Sequence, residues 1–211
     1  MATRMWDDGA AIAVADGVGS VPQARIGAEA AVQAAILVAG AWIERSVELE
    51  RVPPLINKQW QVLLSVPPPL AASTVCVVAV RTDGAWLATS IGDSIFHILT
   101  TSRTSTTPDQ SAFGDTTHAL SDVFVASSWS SSEGGVDDRL IAALTMTDGI
   151  GHDIDVSHLP RLMDAVAAIT RQHGSGEASA QLEASLNQWG TPAHTDDKSI
   201  ACLIVDGPED A

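Results

Sequence analysis

Residues 10–19 read AAIAVADGVG, a run of small and branched apolar residues that ends in an acid and two glycines. An unbroken apolar run of this length is typical of a strand with both faces buried, which predicts a central position in a sheet. Asp16 therefore lies where a rigid strand ends and solvent begins. Gly17 and Gly19 allow the backbone to turn sharply and to approach an ion or a ligand closely.

Three further acids have the same context, next to an apolar strand. Asp93 follows AWLATSIG, Asp148 follows LIAALTMT, and Asp196 lies shortly before the run SIACLIV. Carboxylates that converge at strand ends repel one another unless they are protonated or bridged by cations, and oxygen donors suit hard ions such as magnesium or manganese. For any single acid, the alternative is an ordinary turn residue beside a glycine. Four acids in one context, counting Asp16, favour a cation site.

The composition limits the classes of partner. The 211 residues include 26 acidic and 11 basic side chains, which gives a formal net charge of −15. Nucleic acid and anionic membrane surfaces would repel such a chain, so we expect neither as a partner. We also expect no membrane span, because no apolar run approaches the roughly 18 residues that a bilayer requires. A cytoplasmic location follows as the default, and the length predicts a single domain over residues 1–211.

The predicted elements follow the order strand, helices, a run of strands, two helices and a closing strand. This segregation predicts an α+β fold, with helices packed on antiparallel sheets. The pair Asp83-Gly84 predicts a β-hairpin between two apolar runs. Other expectations concern single segments: an irregular start over residues 1–9, a long helix from Pro22 to about Glu50 that Pro53 and Pro54 end, a polar loop over residues 100–111, a strand over residues 123–126, and a flexible stretch over residues 127–135.

Five short motifs follow one another along the chain: VADGVG at residues 14–19, ST at 73–74, IGDS at 91–94, TDG at 147–149 and DDKS at 196–199. In this order they resemble the metal-dependent protein phosphatases of the protein phosphatase 2C type, bacterial members among them. The resemblance spans about residues 10–205. It implies an αββα sandwich, two antiparallel β-sheets flanked by helices, with a dinuclear manganese or magnesium site at one edge.

The resemblance also implies roles for single residues. Asp16 would bridge both metals, and Gly17 would give a backbone carbonyl to the second metal. Asp148 and Asp196 would bind the first metal. The three acids would also be the catalytic residues, because the family hydrolyses phosphoserine and phosphothreonine by direct attack of a water that bridges the two ions.

Weaker metal candidates accompany this set. Asp197 neighbours Asp196, but Asp196 fits the family pattern better, because a serine then lies three residues later, where the family has Ser or Thr. Asp93 in Gly-Asp-Ser resembles a motif that supports the site from the sheet and usually does not bind metal directly. Asp109 and Asp153 lie near the positions of acids that hold a third, weaker metal in bacterial relatives.

The function implied by the resemblance is a serine/threonine protein phosphatase that uses two Mn²⁺ or Mg²⁺ ions on a phosphorylated protein substrate. Residues 111–122 resemble a branch of bacterial members found beside kinases, which adds a serine/threonine kinase or its targets as partners. The alternative is a catalytically impaired pseudophosphatase that binds a phosphoprotein or regulates a kinase.

One departure from the family pattern supports this alternative. The family's N-terminal strand, which carries a phosphate-binding arginine and an acid, is short or missing in this sequence. Arg4, Asp7 and Asp8 are the candidates for its residues, and they lie too close to Asp16 for the family's usual hairpin.

Overall fold

The computed structural model describes residues 1–107, 118–151, 153–190 and 197–205. Within these ranges, nine strands form two antiparallel sheets. In spatial order, the first sheet consists of β1 (Ala2–Trp6), β2 (Gly9–Val14), β3 (Val75–Arg81), β4 (Trp86–Ile91) and β7 (Trp129–Gly134). The second consists of β6 (Thr104–Thr106), β5 (Ile95–Thr100), β8 (Leu140–Met146) and β9 (Ile200–Ile204). The helices are α1 (Ala24–Ile43), α2 (Val52–Leu63), α3 (Asp148–Gly151), α4 (Leu159–His173) and α5 (Ser175–Gln188).

The strands alternate their side chains between faces, and this alternation builds the layers of the fold. One face of the first sheet, with Ala11, packs against α1 and α2. The other face, with Val14, packs against Phe96 and its neighbours in the second sheet. The outer face of the second sheet, with Leu144, packs against Met163 of α4. The predicted α+β fold, an αββα sandwich of two antiparallel sheets, is confirmed.

The first nine residues are not irregular, so that expectation is wrong. β1 pairs with β2 from Ala2 opposite Ala13 to Trp6 opposite Gly9, which leaves a two-residue turn. A Cβ atom placed on Gly40 of α1 would lie 2.8 Å from the ring of Trp6, so the indole packs directly on the helix backbone. β1 has only five residues, ATRMW, and no apolar run that would predict a strand. Its stability comes from pairing with β2 and from the contact of Trp6 with α1.

The long helix ends earlier than the sequence predicts. α1 stops at Ile43, and the next residues close it with a Schellman-type end, in which the Ser46 N–H donates to Ala41 O at 3.0 Å and Arg45 has a φ of 60°. Pro53 does not end a helix, since it lies in the first turn of α2. A first-turn N–H has no partner within the helix, so its loss to proline costs little there.

The region between β5 and β8 also differs from the expectations. The predicted loop over residues 100–111 contains β6, which pairs with β5. The predicted strand over residues 123–126 is absent from the described chain, and that segment is largely exposed. The stretch expected to be flexible forms β7, which pairs with β4 along its whole length. Its serines give little hydrophobic signal, and the Thr89 and Ser131 hydroxyls, 2.7 Å apart, contribute a cross-strand contact instead.

Helix α1 is long and apolar enough, by length and composition, to cross a membrane, so the expectation that no segment meets this criterion is wrong. Its mean hydropathy is 1.6 over the most apolar window, and 67% of that window is buried inside the structure. A core helix passes the same test when it packs against a sheet, as α1 does here. The observation is therefore weak evidence for a membrane span.

Candidate functional site

Asp16 follows the end of β2, and the residues that lead into β3 fix its backbone. The Thr74 N–H and the Ser73 hydroxyl both donate to Asp16 O, at 2.8 and 2.7 Å. The Asp16 N–H in turn donates to Thr74 Oγ1 at 3.3 Å. Ser73 and Thr74 are buried, whereas Asp16 is half-buried. The carboxyl group of Asp16 is therefore held at the end of a rigid central strand, next to solvent.

Gly17 has no room for a side chain. A Cβ atom at this position would collide with the backbone of Ala24, where α1 begins. The Gly17 N–H donates to the Asp16 carboxylate, which by itself lowers the pKa of that group. The glycine thus lets the helix start close to the strand end and also supplies a donor to the acid.

Carboxylates from three other loops raise the pKa of the Asp16 carboxyl group. Its pKa is raised from 3.8 to about 6, first by burial and then by the negative charge of Asp148, with smaller contributions from Asp197 and Asp93. The Gly17 N–H opposes this shift without cancelling it. Acids from three other chain segments therefore lie near enough to the half-buried Asp16 carboxyl group to raise its pKa, and all four acids lie at the ends of strands from the two sheets. A cation bound there would relieve their mutual repulsion.

Asp148 opens α3 directly after β8. Its carboxylate accepts a hydrogen bond from the Gly149 N–H at 2.8 Å. The preceding residue, Thr147, is buried. It connects the start of α3 to residues 197–199, which lead into β9. Its hydroxyl donates to Asp197 O at 3.1 Å and accepts from the Ser199 N–H at 3.0 Å. The loops that carry Asp148 and Asp197 are thereby held side by side.

Asp93 lies in the turn between β4 and β5. Gly92 has a φ of 92°, a backbone conformation that favours glycine. The hydroxyl of Ser94 lies 3.0 Å from that of Thr74, so this turn is tied to the segment that holds Asp16. Asp93 itself is half-buried.

The remaining predicted site residues fall into two groups. Asp196, the preferred ligand of its pair, and Asp109 lie outside the described residues. Asp197, the weaker member of that pair, is exposed, and its negative charge contributes to the raised pKa of Asp16. Asp153 lies on an exposed turn, where its carboxylate accepts from Trp189 Nε1 at 3.3 Å. Its charge does not figure among those that shift Asp16.

The N-terminal charged residues lie away from this site. Arg4 pairs with Ala11, five residues before Asp16, which corresponds to about 17 Å of extended chain. Asp7 and Asp8 occupy the β1–β2 turn, at the opposite end of β2. These residues do form a hairpin with β2, and its turn lies at the end of β2 that points away from the acids. That they are too close to Asp16 for the family's usual hairpin remains a prediction.

The family model described as protein phosphatase 2C matches residues 1–187. The chain belongs to the protein phosphatase 2C family. No curated protein matches the sequence significantly. The family membership agrees with the order of motifs from VADGVG to TDG, which lie within the matched residues.

Solved structures share the fold of this protein phosphatase 2C family member at low sequence identity. A chain from work on the bacterial stressosome has a TM-score of 0.61 and 18% identity over 95% of this chain and 87% of its own. The Mycobacterium tuberculosis serine/threonine phosphatase PstP/Ppp has a TM-score of 0.58 and 15% identity over 98% and 92%. RsbX, solved in complex with magnesium, has a TM-score of 0.57 and 15% identity over 95% and 83%. These likenesses show the fold.

The donor chemistry around Asp16 fits a hard divalent cation, since carboxylate oxygens gather there and their repulsion raises a pKa. Among the described residues, however, no three Asp, Glu, His or Cys side chains come close enough together to hold an ion. Asp196, which the resemblance makes a ligand, lies outside those residues. The described residues therefore do not by themselves form a complete cation site, and the ligand set remains a prediction.

Sequence reasoning missed the buried hydroxyls that join these loops. Thr74 and Thr147 stand in motifs that the sequence singled out, but no role was predicted for their side chains. Each directly adjoins an acid-bearing loop and is almost fully buried. For Thr147, a small polar residue between an apolar strand and an acid is the signal that could have identified it, whereas Thr74 has no acid beside it in the sequence.

Proposed function

We propose that this protein is a divalent-metal-dependent serine/threonine protein phosphatase. The observation that carries the proposal is the raised pKa of Asp16, caused by burial and by carboxylates from three other segments of the chain. Groups with strongly shifted pKa values are concentrated at functional sites, and a bound cation would relieve the repulsion between these carboxylates. Membership of the protein phosphatase 2C family supports the phosphatase chemistry.

In this proposal Asp16, Asp148 and Asp196 hold two Mn²⁺ or Mg²⁺ ions, with Gly17 O and Asp197 as further donors. When bound, such ions act as Lewis acids toward phosphate oxygens and lower the pKa of a water ligand. The hydrogen bonds from Ser73 and Thr74 fix the backbone of Asp16, and the Gly149 N–H orients the Asp148 carboxylate. A third, weaker ion at Asp109 and Asp153 remains a prediction.

The carboxylates alone would repel a phosphate dianion, so substrate binding in this proposal depends on the ions. The half-buried Asp16 and Asp148 and the exposed Asp197 leave the site open to solvent, which suits a phosphorylated side chain on the surface of another protein. We therefore propose phosphoserine or phosphothreonine in a protein as the substrate. The magnesium in the RsbX structure and the phosphatase name of PstP/Ppp support the choice of ion and reaction.

Phosphate release from a phosphoserine and a phosphothreonine peptide tests the proposal, with manganese added or chelated. We expect turnover with manganese, and a fall of at least about 100-fold in Asp148→Asn, because loss of a ligand should cost no less than loss of an outer partner. Asp164→Asn, at an exposed aspartate on α4, serves as the matched control and should retain activity. No turnover at saturating manganese in the wild type would contradict the proposal.

A pseudophosphatase is the second candidate, and one observation favours it. Among the residues that the structure describes, the charged groups that shift the pKa of Asp16 are all acidic, and Arg4 lies in the middle of β1, away from the site. Such a protein would bind a phosphopeptide without hydrolysing it. Fluorescence anisotropy of a labelled phosphopeptide, with turnover measured in the same samples, separates the two candidates. Tight binding that persists without turnover would select the second.

A further inference from the structure

Three buried hydroxyl groups lie at the bases of the acid-bearing loops. They belong to Thr74, Ser94 and Thr147, whose exposed fractions are 3%, 1% and 1%. A buried hydroxyl needs a hydrogen-bond partner, and each of these finds one in a loop other than its own. We call these three residues the hydroxyl clamp.

Thr147 joins the two loops that come from the second sheet. Its hydroxyl donates to Asp197 O and accepts from the Ser199 N–H, while its own N–H donates to Ser199 O at 3.0 Å. One side chain therefore fixes both ends of the segment from 197 to 199 against the residue that precedes Asp148. Without the hydroxyl, a backbone N–H and a backbone carbonyl lose their partner together.

Thr74 and Ser94 join the two loops that come from the first sheet. Their hydroxyls lie 3.0 Å apart, and Thr74 Oγ1 also accepts from the Asp16 N–H. The Asp16 loop and the Asp93 turn are thus connected through two buried side chains. Gly92 leaves room for the Thr74 methyl group, since a Cβ atom at position 92 would collide with it.

Two nearby strand hydroxyls have no hydrogen-bond partner among the described residues. Thr145, two residues before Thr147 on β8, is fully buried, and its hydroxyl has no hydrogen-bond partner among the described residues. The same holds for Ser90 on β4, which precedes Asp93 by three residues. Other buried hydroxyls do have partners, such as Thr89 on β4, which donates to Ser130 O at 3.0 Å and lies 2.7 Å from the Ser131 hydroxyl. What distinguishes the clamp is that its hydrogen bonds join the loops that carry the acids.

We propose that the hydroxyl clamp consists of positioning residues, which set the spacing of the Asp16, Asp93, Asp148 and Asp197 loops for cation binding. The clamp rests on the proposed function, because it presumes that the acids bind a divalent ion. It acts through backbone atoms and touches neither ion nor substrate. Second-shell partners of this kind commonly change metal affinity by about 10- to 100-fold.

Manganese titration by calorimetry tests the clamp with four proteins: the wild type, Thr147→Val, Thr147→Ser and Thr145→Val. Valine keeps the shape of threonine and removes the hydroxyl, whereas serine keeps the hydroxyl. We expect affinity to fall about 10-fold in Thr147→Val, to return to within about threefold of wild type in Thr147→Ser, and to stay unchanged in Thr145→Val. Circular dichroism establishes that each variant is folded.

The outcomes separate the clamp from the proposed function. Manganese binding in the wild type with equal affinity in Thr147→Val would overturn the clamp alone, as would a Thr147→Ser variant as weak as Thr147→Val. A wild type that binds no manganese would overturn the proposed function, and the clamp with it. If Thr147→Val does not fold, the pair Thr74→Val and Thr74→Ser provides the same comparison at the Asp16 loop, with the same expected and contradicting results.

Discussion

Burial and the neighbouring carboxylates both disfavour the ionised form of Asp16. Its folded-state pKa of about 6 lies above the value of 3.8 for the free side chain, so between these values the folded protein binds more protons than the unfolded chain. An acid whose pKa is higher in the folded state lowers the free energy of unfolding as the pH rises through the range between its two pKa values. Ionised Asp16 therefore destabilises the metal-free protein at neutral pH, and protonation or a cation removes this penalty.

Asp16→Asn should stabilise the metal-free protein at about pH 7.5 by roughly 1 kcal/mol, a figure reduced for solvent screening of a half-exposed group. At about pH 4 the two proteins should be equally stable, because wild-type Asp16 is then mostly protonated in the folded state. Urea unfolding with a chelator present, at both pH values, measures the difference. Asp164→Asn serves as the exposed control. An Asp16→Asn variant that is no more stable than wild type at the higher pH would contradict the origin of the shift.

For His97 we expect a pH dependence of folding stability with the opposite sign to that of Asp16. It is 1% exposed on β5, its Nδ1 lies 2.6 Å from Thr106 Oγ1, and its Nε2 is buried without a partner among the described residues. Burial lowers the pKa of His97 below 6.5, so the unfolded chain takes up the proton first and stability falls as pH drops below about 6.5. His97→Gln should flatten the unfolding free energy between about pH 7 and pH 5. A variant whose acid sensitivity matches wild type would contradict this assignment.

The β1–β2 hairpin depends on the helix beneath it. Gly40 of α1 leaves space for the indole ring of Trp6, although glycine in a helix interior normally costs about 1 kcal/mol relative to alanine. The sequence alone marks Gly40 as a weak point in a helix, because the contact joins residues far apart along the chain. The hairpin in turn covers the outer edge of β2, the strand that carries Asp16.

Gly40→Ala should therefore destabilise the protein by about 1–2 kcal/mol, since overpacking against Trp6 outweighs the gain in helix propensity. Gly176→Ala in α5 is the matched control, because a Cβ atom there meets nothing within 4 Å. The control should be neutral or stabilised by up to about 1 kcal/mol. Thermal and urea unfolding measure both changes. Equal stabilisation by the two substitutions would show that Trp6 does not pack on α1.

The sequence predicts those strands and helices whose own side chains show an apolar pattern or a turn motif. The strand at β2, the β3–β4 hairpin and α4 follow from apolar patterning and from an Asp-Gly turn. The sequence does not predict β6 and β7, because strands rich in Thr and Ser lack an apolar pattern and are stabilised by pairing with neighbouring strands. Pro53 misleads for a similar reason, since a proline is compatible with both the end and the first turn of a helix.

The candidate site divides in the same way. Asp16 and Asp148 are recognisable because each directly follows an apolar strand and precedes a glycine. The convergence of Asp93 and Asp197 on Asp16 depends on how the two sheets stack, which no local pattern encodes. The bridging by Thr147 needs two segments about 50 residues apart and becomes visible only in the folded chain.

The sandwich as a whole brings the acids together. Asp16 and Asp93 follow strands of the first sheet, whereas Asp148 follows and Asp197 precedes strands of the second. Each sheet thus contributes two acids to one end of the stacked pair, in a chain that already has a net charge of −15. Ions bound between the sheets would therefore join them, and by linkage they would stabilise the fold by about 2.7 kcal/mol at 100 times the dissociation constant.

The location of manganese in crystals of the wild-type protein tests the cation site most directly. Anomalous scattering from crystals grown with manganese shows where each ion lies, independently of activity. We expect manganese within ligating distance of the carboxylates of Asp16 and Asp148, and no manganese there in crystals of Asp148→Asn. A wild-type crystal at saturating manganese with no ion at these two carboxylates would contradict the assignment of this site.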